Sequence, residues 1–150
     1  MEYHLNRMPN TLINIGGIGE PTLHPQLTDI VSIAFRTNNQ INLITNGTKF
    51  KENFLSKIPA PYLRSINQLV MSYQYAQLND VQRREFVSAV RMACNYMGAP
   101  KISITIVADD EVIDNIDEIL ETFKEIPIAP SFQMLYVEME LNIVTILMIN

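Results

Sequence analysis

Short apolar runs suited to β-strands alternate with helix-forming segments along this 150-residue chain. No other feature constrains its fold more. Strands are expected at Thr11–Ile15, Ile41–Thr45, Ile66–Tyr73, Lys101–Val107 and Phe132–Leu141, where apolar and polar residues alternate or β-formers cluster. Between them, Gln26–Arg36 carries a helical stripe and Lys51–Ile58 reads as a short helix stopped by Pro59-Ala-Pro61. Asn79 or Asp80 caps a long helix reaching Met97, and Asp109-Asp110 opens another with Val112, Ile116, Ile119 and Phe123 on one face. Strands separated by helices favour βαβ units and a parallel sheet. Residues 141–150 match no clean element. Two architectures satisfy the rhythm, an open doubly wound sheet and part of a (β/α) barrel, and both bind ligands at the carboxyl ends of strands.

The segment that follows the first strand is Gly16-Gly-Ile-Gly-Glu-Pro-Thr-Leu-His-Pro25. Glycines let the chain turn sharply and let a ligand touch bare backbone. Glu20 stands where that backbone is most open, and Pro25 begins the next amphipathic segment. Phosphate-loop patterns do not fit. Gly19 is followed by Glu20 rather than Lys, and Thr22 stands where a dinucleotide loop needs glycine. A carboxylate repels phosphate and suits a cationic group such as an amine. The residues alone therefore fit either an amine-accepting cleft or a turn made only for tight packing, with Glu20 solvated. Three strand endings would meet on one rim: Gly16–Glu20, Thr45–Thr48 and Ser72–Gln74.

These residues resemble the Gly-Gly-Glu motif of radical S-adenosylmethionine (radical SAM) enzymes, often written Gly-Gly-x-Gly-Glu-Pro-Thr-Leu-His-Pro. The strand ending Thr45-Asn46-Gly47-Thr48, one helix later, resembles that family's next strand. The resemblance implies an α/β fold, a partial (β/α) TIM-like barrel with parallel strands over residues 1–150, its first strand missing from the chain. It further implies that Gly16, Gly17, Gly19 and Glu20 hold the methionine amino group of S-adenosylmethionine. Thr45 or Asn46 would lie near its carboxylate, Ser72 near the ribose, and the backbone of Ile106 near the adenine.

The family's four-iron four-sulfur cluster is bound by a Cys-x-x-x-Cys-x-x-Cys loop, and this sequence has none. Its one cysteine, Cys94, falls on a helical apolar stripe and reads as a small core residue. The expectation is a domain that keeps the amino-group site but is incomplete as an enzyme alone. A missing N-terminal segment or a partner chain would supply the cluster. The alternative is a non-catalytic α/β binding or interaction module on the same scaffold. An ordinary doubly wound domain for another amine-bearing small molecule is a third option.

The remaining signals are bland. His4 and His24 have no partner at ligand spacing. The acids from Asp109 to Glu118 suit the first turn of a helix. A net charge of −5 without a basic stripe gives no nucleic-acid footprint. A lone cysteine, no secretion-type leader pattern and no long apolar run point to a cytoplasmic protein without a membrane span.

Overall fold

The computed structural model describes His4, residues 7–135 and residues 146–148. Its strands are β1 (Leu12–Ile15), β2 (Gln40–Thr45), β3 (Ile66–Tyr73), β4 (Ile102–Ala108), β5 (Pro130–Leu135) and β6 (Ile146–Met148). They form one sheet in the order β1-β2-β3-β4-β5-β6. The first five are parallel and β6 runs antiparallel to β5. A doubly wound sheet reverses its strand order at a switch point. Strictly sequential order is the arrangement of a barrel wall, so the fold is α/β and of the partial-barrel kind.

The helices are α1 (Leu27–Arg36), α2 (Asp80–Met97), α3 (Asp110–Asp114) and α4 (Ile116–Phe123). Asn79 caps α2 through a reciprocal pair with Gln82, which satisfies the N–H of both residues. Leu27 and Val31 of α1, Phe86 and Val90 of α2, and Ile119 and Phe123 of α4 share one core with the strands. Ile41, Leu43, Leu69, Met71, Ile104 and Ile106 are the strand side of that core and are all fully buried. The alternate strand residues face the other way and stay partly or fully exposed, among them Asn14, Ile44, Gln68 and Thr105. The helices thus cover one face of the sheet and leave the other open, as a barrel wall requires.

Five expectations need correction. The helix after Asp109 is broken in two at Asn115, whose side-chain amide donates to the Glu111 carbonyl (2.8 Å) instead of facing solvent. The expected Lys51–Ile58 helix is a single wide turn, Lys51–Leu55. Pro25 does not begin a helix. Pro21 does, opening a short 3-10 turn, Pro21–Leu23, for which Glu20 is the cap. The fifth strand begins at Pro130 rather than Phe132, and its expected continuation over 136–141 lies outside the described residues. Part of the stretch that matched no element, Ile146–Met148, is the antiparallel strand β6.

Candidate functional site

The carboxyl edge of β1 and β2 is drawn together by one side chain. Glu20 is partly buried, not solvated. Its Oε1 accepts from the Thr22 backbone N–H (2.9 Å), the Thr22 hydroxyl (2.7 Å) and the Thr45 hydroxyl (2.6 Å). Its Oε2 accepts from the Asn46 N–H (2.7 Å). The Thr45 hydroxyl in turn accepts from the Gly47 N–H (3.0 Å). The Thr22 hydroxyl has one proton for two acceptors, Glu20 Oε1 and the Thr48 carbonyl, each 2.7 Å away. Every group that hydrogen-bonds the carboxylate, among the described residues, is a neutral donor. Among the described residues no lysine, arginine or histidine forms an ion pair with it. A partly buried carboxylate with no cation beside it among the described residues is a natural complement for a cationic group of a ligand.

The glycines divide by task. A Cβ on Gly16 would lie 3.0 Å from Cβ of Ile44, so Gly16 lets the loop lie against β2. Gly17 and Gly19 adopt φ of +110° and +95° with open space where a side chain would be. Their backbone faces solvent at the rim, and Ile18 between them is fully exposed. The most open point of the loop is therefore Ile18, not Glu20.

Of the expected site residues, the structure joins Glu20, Thr45 and Asn46 directly. Thr45 is buried and its hydroxyl is committed to Glu20 and Gly47. Asn46 uses its Oδ1 to accept from the Thr48 N–H (2.9 Å) and keeps its Nδ2 without a protein partner among the described residues. Ser72 lies on the open face, paired with Thr105 across β3 and β4. Ile106 is completely buried on the helix-covered face, two residues short of the end of β4, so only its backbone can meet a ligand. Thr22 and the Thr48 carbonyl are site members that the sequence reading missed. The Glu-Pro-Thr order, an acid before Pro at the first helical position, was the available signal.

A cleft of about 330 Å³ lies beside the same turn, between Asn46–Lys49 and the Gln82–Ala89 side of α2, and Glu20 does not line it. Cys94 is partly buried on α2, and burial pushes its thiol pKa up, which keeps it a thiol. Among the described residues no group of three or more His, Cys, Asp or Glu could hold a metal ion. Asp109 caps α3 by accepting from the Val112 N–H (2.9 Å), which accounts for the first of the clustered acids. No helix of the described residues is long and apolar enough to cross a membrane.

Fold and site together define a class: an open α/β barrel wall with a glycine–acid loop at the carboxyl edge of its first described strands. Two solved structures share that fold. Archaeal TYW1 superposes with a TM-score of 0.56 at 15% identity, over 83% of this chain and 42% of its own. TYW1 with a lysine–pyruvate adduct bound gives 0.56 at 16% identity, over 88% of this chain and 44% of its own. TYW1 is a radical SAM enzyme, so the fold agrees with the resemblance of the glycine–acid loop. At this identity the likeness is one of fold. The chain spans less than half the length of either structure. No protein-family model and no curated protein matches the sequence.

Proposed function

We propose that this chain is a radical SAM-type domain whose task is to bind S-adenosylmethionine at the carboxyl edge of its sheet. One observation carries the reading: Glu20 is a partly buried carboxylate at that edge, held only by neutral donors. An ammonium group is the natural complement, with one charge and three donors. The open backbone of Gly16, Gly17 and Gly19 offers carbonyl oxygens to the same ammonium. Asn46 Nδ2 is free to donate to the ligand's carboxylate, while Thr45 acts through Glu20 by fixing its position. Ser72 Oγ faces the side where a ribose would lie, and the backbone at Ile106 is assigned to the adenine.

In such enzymes a four-iron four-sulfur cluster supplies the electron that cleaves the sulfonium. The residues of this chain do not fit the cluster, since a single thiol on α2 cannot provide its cysteine ligands. On this reading the thiolates come from another segment or another polypeptide, and these residues contribute binding and orientation.

The second reading is a non-catalytic binding or interaction module, and a specific observation favours it. Glu20 already has four donor groups of its own chain within hydrogen-bond distance, one of them shared with the Thr48 carbonyl, enough to make it a structural clamp.

Calorimetry separates the two. S-adenosylmethionine should bind, and Glu20→Ala should weaken it by about tenfold or more, the loss of about 1.4 kcal/mol or more. The same variant should bind 5′-methylthioadenosine, which lacks the methionine α-ammonium group, as the unaltered protein does. Equal weakening of both ligands would mean that Glu20 acts only by holding the loops. No binding of S-adenosylmethionine to the folded chain would end the first reading.

A further inference from the structure

The open face of the sheet is built in layers. One layer above the exposed pair Leu12 and Gln40, three amides form a one-way ladder. Asn67 Nδ2 donates to Asn42 Oδ1 (2.9 Å), and Asn42 Nδ2 donates to Asn14 Oδ1 (3.0 Å). Above them Gly16, Ile44 and Val70 make a low apolar strip, with Ile44 45% exposed. Toward the rim come the hydroxyls of Ser72, Thr105 and Ser131, aligned by strand register. The side chains of β1–β5 that face this side carry no charge, although acids and bases make up 18% of the chain.

A second feature points the same way. The pairing of β2 with β3 slips between Ile41 and Asn42, which face Ile66 and Gln68 and leave Asn67 as an extra residue. Alternation would otherwise turn Gln68 toward the helices. The slip places Asn67 and Gln68 together on the open face, both exposed. Gln68 Nε2 then reaches Ser103 Oγ on β4 (3.4 Å). Bulges of this kind re-aim side chains and gather beside functional sites.

Each ladder bond uses one of the two amide hydrogens and one lone pair. The central Asn42 is left with a second N–H and a second acceptor site, side by side and accessible. We infer that this face binds a neutral, planar ring bearing an amide edge. Its C=O and N–H would pair with the Asn42–Asn67 ladder, and its flat face would lie on Ile44 and Val70. A ring with an exocyclic carboxamide and a ring lactam such as a nucleobase share this chemistry. A phosphate- or carboxylate-bearing group does not, because none of the β1–β5 side chains facing this side is a cation that would offset its lost hydration. The inference rests on the reading of the rim as a ligand site and names the substrate class that would lie beneath it.

The test is a titration of isotope-labelled protein followed by NMR at the side-chain amides of Asn14, Asn42 and Asn67. Nicotinamide and uracil are the neutral probes, and nicotinate is the charged control of the same ring. At least one neutral probe should shift the Asn42 and Asn67 signals, and nicotinate should bind about tenfold more weakly or worse. Which neutral probe binds more tightly tells a carboxamide from a lactam. Asn67→Ala, at an exposed position, should remove the response without unfolding the sheet. Glu20→Ala should leave it intact while losing S-adenosylmethionine, so the two proposals fail separately. Equal binding of nicotinate, unchanged amide signals with all probes, or an undiminished response in Asn67→Ala would overturn the inference.

Discussion

The two ends of the β1–β2 pair are closed by buried polar clusters that do the same mechanical job with different chemistry. At the amino end, Asn39 Oδ1 accepts from the Thr11 N–H (2.8 Å) and Asn39 Nδ2 donates to Thr37 Oγ1 (2.9 Å). Thr37 passes its own proton to the Ile33 carbonyl (2.8 Å), tying the clamp to α1. At the carboxyl end, Glu20 joins Thr22, Thr45 and Asn46. Both clamps span similar chain separations, and both use a threonine and an amide. The amino-end clamp is neutral and fully withdrawn, with Asn39 2% exposed. It shows that this fold can staple β1 to β2 without an ion. The charge at the other end is therefore surplus to the mechanical need, and it sits at the edge where α/β barrels bind ligands.

The strongest test of that contrast is Asn39→Leu. It strips the part-buried Thr11 N–H of its acceptor and removes the donor to the Thr37 hydroxyl, which keeps its bond to Ile33, and the expected loss is about 3 kcal/mol by urea unfolding. Ligand binding per folded molecule should not change. Glu20→Gln is expected to cost about 2 kcal/mol, because one amide hydrogen must face the Asn46 N–H or the threonine donors whichever way the side chain is turned. Here, unlike at Asn39, S-adenosylmethionine binding should fall more than stability explains. If both substitutions reduce stability and leave binding untouched, the two ends are mechanically equivalent and the contrast disappears. Thr45→Val keeps shape and removes one donor to the carboxylate. It should cost about 1 kcal/mol and weaken S-adenosylmethionine only modestly, since three donors remain.

The strands and the core were easier to read in the sequence than the polar clamp at either end of β1 and β2, and the Thr11–Thr37–Asn39 clamp was not read at all. Strand β3 was expected at the bounds it has, because Ile66–Tyr73 is a long run in which apolar residues dominate. Helix α2 carries its own start signal in Asn79 and its stop in Gly98. The loop Gly16–Glu20 was legible as a ligand-binding edge, but the partners of Glu20 were not. Thr45 and Asn46 lie 25 and 26 residues away and meet it only after β1 and β2 pair. The slip at Asn67 belongs to the pairing of two strands and leaves no mark in either alone. The break at Asn115 turns on a local competition for a carbonyl that periodicity does not register. Strand β6 escaped because it is three residues long and antiparallel, against the rhythm of everything before it.

The last and smallest prediction extends the contrast to alkaline pH. None of the side chains in the Thr11–Thr37–Asn39 clamp titrates. The carboxyl end of β3 finishes on Tyr73, packed against Phe86 and Phe123 at centroid distances of 4.9 and 5.1 Å. Burial there pushes the phenol pKa from 10.0 up to about 12, with Arg83 opposing the shift. Below pH 10 the phenol is protonated folded and unfolded alike, and its contribution is complete. From about pH 10 to about pH 12 the unfolded chain loses the proton while the folded one keeps it, so stability falls across that window. The Tyr73 hydroxyl makes no hydrogen bond among the described residues, so Tyr73→Phe should change stability at neutral pH by no more than about 0.5 kcal/mol. Urea unfolding at about pH 9 and about pH 11 should show a smaller decline in Tyr73→Phe than in the unaltered protein. Equal declines would mean that Tyr73 ionises as easily folded as unfolded, and that the carboxyl end of the sheet is wetter than its aromatic packing requires.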